Sequence, residues 1–233
     1  MYRNQLTFED KVFGQHHLSS AQAAMIKKTY LLLGLSVLAA MAGAVIGSST
    51  PALRAFFGSW VGWIVAMVGL NALPAVAMAF RRQGALGLAA LLADGFFAGI
   101  ILGPIIYMAE RIAPDVVTTA MIITGIIFLS VTGYVATSGR TFSAPRGLMT
   151  GIFFAIVGIT LLNLMLGFPL LSLIISAAIG IFGLVVLIYA TSDVLNNPEA
   201  DSPIPGALML FAGLFQVFQA VLHILMAFTG RDD

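Results

Sequence analysis

The chain has 233 residues, of which 60% are hydrophobic and 9% charged, and its mean hydropathy is +1.02; soluble domains carry roughly 25% charge, so a water-soluble monomer is excluded. A formal net charge of +1, with the few Lys and Arg scattered at the ends of apolar runs, excludes a nucleic-acid-binding surface. Cysteine is absent, which removes disulfides, a thiolate nucleophile and any Cys-based metal site, and no cofactor is implied.

The partner that composition does imply is the lipid bilayer. Residues 1–28 are polar and of mixed charge, with Glu9, Asp10, Lys11, His16 and His17, and lack the basic start and cleavage site of a signal peptide. They read as a cytosolic N-terminal tail, in which Leu18 to Ile26 is expected as a short helix against the membrane surface. Apolar runs bounded by charge, Pro or Gly then give seven spans, at about 29–48, 58–80, 84–108, 116–137, 147–166, 170–190 and 206–229. Each is near the ~20 residues that a bilayer core requires. The fifth and sixth are parted by Gly167, Phe168 and Pro169; merged, they would run to about 44 residues, twice what the membrane accepts. The fold expected is an all-α membrane domain over 29–229, followed by a short external C-terminus at 230–233.

Basic residues near span ends are retained on the cytosolic side. With the N-terminus inside, eight (Arg3, Lys11, Lys27, Lys28, Arg81, Arg82, Arg140, Arg146) are cytosolic and three (Arg54, Arg111, Arg231) external. Lipid tails provide no hydrophobic drive between helices, so packing depends on close backbone approach. Gly95, Gly99 and Gly103, spaced by four on the third span, form two overlapping GxxxG steps and predict a near neighbour along that helix.

Ionisable groups inside spans are costly and mark functional candidates. Asp94 stands about ten residues into the third span, or about 15 Å at the helical rise. Asn71 lies at the same distance from the Arg81-Arg82-Gln83 turn on the antiparallel second span. On the seventh span Gln216, Gln219 and His223 share one helix face, with Gln216 expected level with Asp94 and His223 level with Asn163 of the fifth span. A polar layer of Asn71, Asp94 and Gln216, continuing outward through Gln219, His223 and Asn163, is therefore predicted. Interhelical hydrogen bonds of structural purpose explain the amides, whereas a carboxyl at that depth must be protonated, paired or wet.

The loop between the last two spans carries Asp193, Glu199 and Asp201 and no basic residue, a candidate acidic mouth for cations. No HExxH, Walker loop or GxSxG occurs, and Ser36, Thr124 and Thr160 are expected to bond the preceding helical turn, so no enzyme is predicted. Pro74 and Pro104 each remove a backbone donor within a span. No inverted repeat of the transporter kind is visible.

Over about residues 25–230 the chain resembles the Bax inhibitor family, and specifically its bacterial members. The resemblance rests on Lys28-Thr29-Tyr30-Leu31-Leu32, on Gly99 with Ile101-Leu102-Gly103-Pro104-Ile105-Ile106, on Tyr189-Ala190-Thr191-Ser192, and on Leu210-Phe211 with Gln216-Val217-Phe218. It implies six helices around a central seventh and, for some members, a calcium leak gated by two aspartates of the sixth and seventh spans. Those positions are Ala190 and Gly213 here, and neither can titrate or bind calcium. Asp193, near one turn beyond Ala190, and Asp94 are the residues left for a rewired site.

The enterobacterial branch also departs from the aspartate pair, and the resemblance to it implies binding and restraint of the membrane-anchored protease FtsH, with an exposed N-terminal tail as handle. Two functions are thus expected: an inner-membrane regulator of membrane-protein quality control, or a pH-sensitive leak for protons or calcium. The resemblance places the chain in a bacterial plasma membrane.

Overall fold

The computed structural model describes residues 20–143, 145–196 and 201–230. The described residues form eight helices: α1 (Ser20–Ser49), α2 (Pro51–Phe57), α3 (Trp60–Ala79), α4 (Gly84–Ile112), α5 (Val116–Ser138), α6 (Arg146–Leu166), α7 (Pro169–Asn196) and α8 (Ile204–Thr229). Seven of them, all but α2, are long and apolar enough to cross a membrane, which makes this a multi-pass, all-helical membrane protein.

The local causes of these boundaries are visible in the residues. From Ser20 the sequence Ala-Gln-Ala-Ala-Met-Ile-Lys-Lys contains only good helix formers. The expected surface helix is therefore not separate: Ser20–Ile26 is the start of one continuous 30-residue α1, while Leu18 and Ser19 lie outside the described residues. The short α2 was not expected; Pro51 occupies its first turn and Gly58 closes it. Ser59 then caps α3, its side chain accepting from Gly62 N at 3.1 Å. Gly139 (φ 60°) ends α5 and Gly167 (φ 69°) ends α6, and Pro169 opens α7 two residues later. Pro74 and Pro104 lie inside continuous helices. Helix α7 runs to Asn196 rather than stopping near residue 190, so Asp193 is helical.

Two glycine seams hold the bundle. On α4, Gly95, Gly99 and Gly103 face α1, which answers with Gly43 and Gly47. A Cβ on Gly95 would stand 2.6 Å from Ser36 O, one on Gly47 2.5 Å from Ile100 O, and one on Gly99 would overlap Ala40 O. The α1–α4 pair is accordingly the most extensive helix contact in the protein. The second seam joins α7 and α8, where a Cβ on Gly183 would lie 3.0 Å from Gly213 O and one on Gly213 3.1 Å from Gly183 O. Helix α8 occupies the centre, packing against α1, α3, α4, α5 and α7, while among the described helices α6 stands outside and packs on α7 alone. The largest buried cluster sets Leu210, Phe211 and Val217 of α8 against Leu33 of α1, Ala98 of α4 and Leu187 of α7.

Candidate functional site

The polar residues of the spans separate into three groups at different depths. The first is Asp94, which is 4% exposed and carries no hydrogen bond or ion pair among the described residues. It shares a helix face with Leu91 one turn before it and Ala98 one turn after. Leu91 packs with Ala77, Ile204, Ala207 and Leu208, and Ala98 with Leu210 and Phe211, so the carboxyl is held between two apolar clusters facing α8.

The partners expected for Asp94 are elsewhere. Asn71 is exposed and donates its Nδ2 to Met67 O of its own helix at 2.7 Å. Its depth agrees with the turn count, but its direction does not: Gly69 is the residue that meets α4, against the Phe97 ring, and two residues further along a helix is about 200° around it. Gln216 faces α7, its Cβ 2.9 Å from where a Cβ on Gly183 would stand, and its Oε1 is buried without a hydrogen bond. Nor is it level with Asp94. Ile204 meets Gly87, so α8 starts deeper than expected and Gln216 lies about five residues, or about 7.5 Å, beyond Asp94 along the bundle.

The second group gathers around one cavity. Asn163, Gln219 and His223 line one cavity of about 330 Å³ between α6, α7 and α8, with Thr160, Ser172 and Ser176 completing the polar wall. Asn163 is fixed by the turn it caps: its Oδ1 accepts from Phe168 N at 3.2 Å and its backbone carbonyl from Gly167 N at 2.7 Å. Thr160 and Ser176 spend their hydroxyls on Ile156 O and Ser172 O, at 2.7 and 2.9 Å. That leaves the Gln219 amide, the His223 imidazole and the Ser172 hydroxyl facing the cavity. Among the described residues no carboxylate lines it, so it suits water or a neutral polar group better than a metal cation.

The third group lies at the end of the bundle carrying the N-terminus of α1. Asp201 does not stand as an open acidic mouth. Arg82 donates to its Oδ2 from Nε at 2.8 Å and Nη2 at 2.6 Å, and Arg81 Nε lies 3.6 Å from Oδ1. The hydrogen bonds from Arg82 hold the Asp201 carboxyl below its ordinary pKa. Ser202 continues the clamp, donating to Arg81 O at 2.7 Å. Asp193 is half-buried and partnered, and Glu199 lies outside the described residues. The bases that neutralise this loop come from another turn, which the composition of the loop alone conceals.

Two features had no counterpart in the sequence reading. Ser192, buried at the end of α7, accepts from Phe142 N at 2.8 Å and ties the α5–α6 connection to the bundle. The hydroxyls of Tyr30, Thr132 and Thr191 meet in the core from α1, α5 and α7, with Tyr30 directed at both threonines, yet none completes a direct hydrogen bond. Their neighbour Ala190 is 1% exposed. At Gly213 a Cβ would stand 2.9 Å from Leu187 Cγ. Both positions where the resemblance implies aspartates are thus closed by packing.

The family described as inhibitor of apoptosis-promoting Bax1 matches residues 22–230. An uncharacterised protein of Neisseria meningitidis serogroup A is 30% identical over 89% of this chain and 92% of its own length. The modulator of FtsH protease YccA of Escherichia coli K12 is 28% identical over 89% of this chain and 91% of its own. An uncharacterised membrane protein of Vibrio cholerae is 26% identical over 89% and 91%. On the extent of these matches and the seven-helix architecture, the chain belongs to the Bax inhibitor family.

Proposed function

We propose that this protein is an inner-membrane regulator that binds a membrane-anchored protease of the FtsH type and modulates its handling of membrane proteins. The observation that carries the reading is the end-to-end likeness to the modulator of FtsH protease from Escherichia coli. The closed packing around Ala190 and Gly213 supports it from the other direction, because the acid pair of the leak-forming members is replaced by small residues. In this reading the N-terminus is cytosolic, and residues 1–19 are the handle for the protease. The test is co-purification of the tagged chain with an FtsH-type protease from native membranes, with and without residues 1–19, alongside the half-life of a membrane substrate of that protease. Co-elution that depends on the tail and a lengthened half-life are expected. Absence of co-elution after cross-linking, together with an unchanged half-life, would falsify the reading.

A second reading, a pH-sensitive leak for protons or calcium, is favoured by one observation, the buried and unpartnered carboxyl of Asp94. A leak needs a continuous polar route. Two apolar clusters flank Asp94 along its helix face, so protons are better suited to it than calcium.

A further inference from the structure

Helices α1 and α5 both pack on α8 but keep their backbones apart, meeting through side chains at Tyr30, whose ring lies 6.3 Å from that of Phe128. Between them runs an open apolar groove of about 730 Å³, with Gly99, Leu102 and Ile106 of α4 and Phe211, Phe215 and Phe218 of α8 as its floor. Its walls include Gly34 and Gly125, and neither has a heavy atom within 4 Å of where a Cβ would stand. A groove of this size lies in the range of small-molecule sites, roughly 300–1,000 Å³. It opens sideways, where a membrane protein meets acyl chains.

The end of the groove away from the N-terminus is charged. Ser48 and Glu110 line it there. Arg54 donates from Nη1 to Ser48 O at 2.5 Å and lays its guanidinium over the Tyr107 ring, 3.7 Å from the centroid. Arg111 sits over the same ring at 4.8 Å. Glu110 and Arg111 each stand about one helical turn beyond Tyr107 on α4, on either side of it. Among the described residues neither guanidinium nor the Glu110 carboxylate has an ion-pair partner. Arg54 is tied to the groove through the lining Ser48, and Arg111 shares its ring and follows the lining Glu110 in sequence; two cations next to an unpaired anion at the end of an apolar groove match the charge order of a zwitterionic phospholipid.

We propose that this groove is a binding site for a phosphatidylethanolamine molecule of the leaflet away from the N-terminus. Its phosphate lies against Arg54 and Arg111, its primary ammonium on Glu110, and one acyl chain fills the space between α1 and α5. The site places a lipid directly on the central helix, through Phe215 and Phe218.

Native mass spectrometry of the full-length protein, purified in detergent and supplied with equal phosphatidylethanolamine and phosphatidylglycerol, tests this. The wild type should retain phosphatidylethanolamine over phosphatidylglycerol by about fivefold, the size of one exposed ion pair. Glu110→Gln should bring that ratio to about one while leaving phosphatidylglycerol bound. The pair Arg54→Gln with Arg111→Gln should lower retention of both lipids about tenfold. Gly125→Leu, whose side chain enters open groove rather than packed core, should abolish retention at an unchanged melting temperature. A wild type that retains no lipid, or phosphatidylglycerol at least as well as phosphatidylethanolamine, overturns the proposal. So does retention that is indifferent to Gly125→Leu or to the arginine pair.

Discussion

Arg82 places both Nε and Nη2 on one carboxylate oxygen of Asp201, across 119 residues of sequence. The pair bolts the α3–α4 turn to the segment that leads into the central helix α8. Asp201→Asn removes the charge and leaves Arg82 free, so trypsin at neutral pH should cut after Arg82 several times faster than in the wild type, read as the rate of appearance of the two fragments. Because the folded-state pKa of Asp201 is depressed below 3.8, the clamp is complete above that pH. It is lost as pH falls further and the carboxylate takes up its proton. Equal cleavage rates for variant and wild type would show that the clamp does not restrain the turn.

The α1–α4 seam is tested by adding single methyl groups. Gly99→Ala puts a carbon onto Ala40 O, and Gly95→Ala puts one 2.6 Å from Ser36 O. Backbone atoms cannot step aside as side chains do, so each variant should lose about 1–3 kcal/mol, the usual cost of overpacking. Gly158→Ala on α6 has open space around it and should gain a few tenths to about 1 kcal/mol from helix propensity alone. Thermal unfolding in detergent ranks the three. If Gly99→Ala melts with Gly158→Ala, the seam is looser than its geometry.

What the sequence disclosed and withheld divides along a physical line. Span number, the Gly167-Phe168-Pro169 break and the close neighbour of α4 follow from composition, length and spacing, which are properties of one segment at a time. Depth is also nearly local, since it needs only a count of residues from a turn. The contact of Gly69 with the Phe97 ring sets Asn71 near the level of Asp94 on the antiparallel helix, and Asn163 shares a cavity with His223. Direction around a helix is not local: Asn71 points away because Gly69 is the residue that meets Phe97. Gln216 misses Asp94 because α8 begins beside Gly87, an offset that no single helix records. The Arg82–Asp201 pair and the anchoring of Phe142 by Ser192 are likewise contacts between distant segments.

Asn163 is structural before it is anything else. Its side-chain carbonyl holds Phe168 N in the turn between α6 and α7, and among the described helices α6 packs only on α7. Asn163→Ala should cost about 1 kcal/mol for the lost bond, up to about 3 because the amide is buried. Asn163→Asp keeps an accepting oxygen but at neutral pH buries a charge in the last turn of α6, so it should recover the loss only at acid pH, where the carboxyl is protonated. Melting temperatures of the two variants decide. If both melt like the wild type, the cap is dispensable and the amide is retained for the cavity it faces.

Asp94 is the sharpest discriminator between the two functional readings. A carboxyl between Leu91 and Ala98, with no bond to hold it, adds nothing to stability; on insertion scales an aspartate at a helix centre costs about 2.5–3.5 kcal/mol. Asp94→Asn should therefore melt no lower than the wild type, and Asp94→Leu no lower than Asp94→Asn. Loss of stability in Asp94→Asn would instead reveal a bond made by the charge. With folding secured, the same variant goes into liposomes carrying proton- and calcium-sensitive dyes from pH 5 to 8. Under the regulator reading, neither ion moves above empty liposomes in wild type or variant. A proton flux in the wild type that Asp94→Asn abolishes would make the carboxyl a relay and displace that reading. A calcium flux that survives the substitution would require a route avoiding Asp94, and the cavity lined by Gln219 and His223 is the polar space left for it to cross.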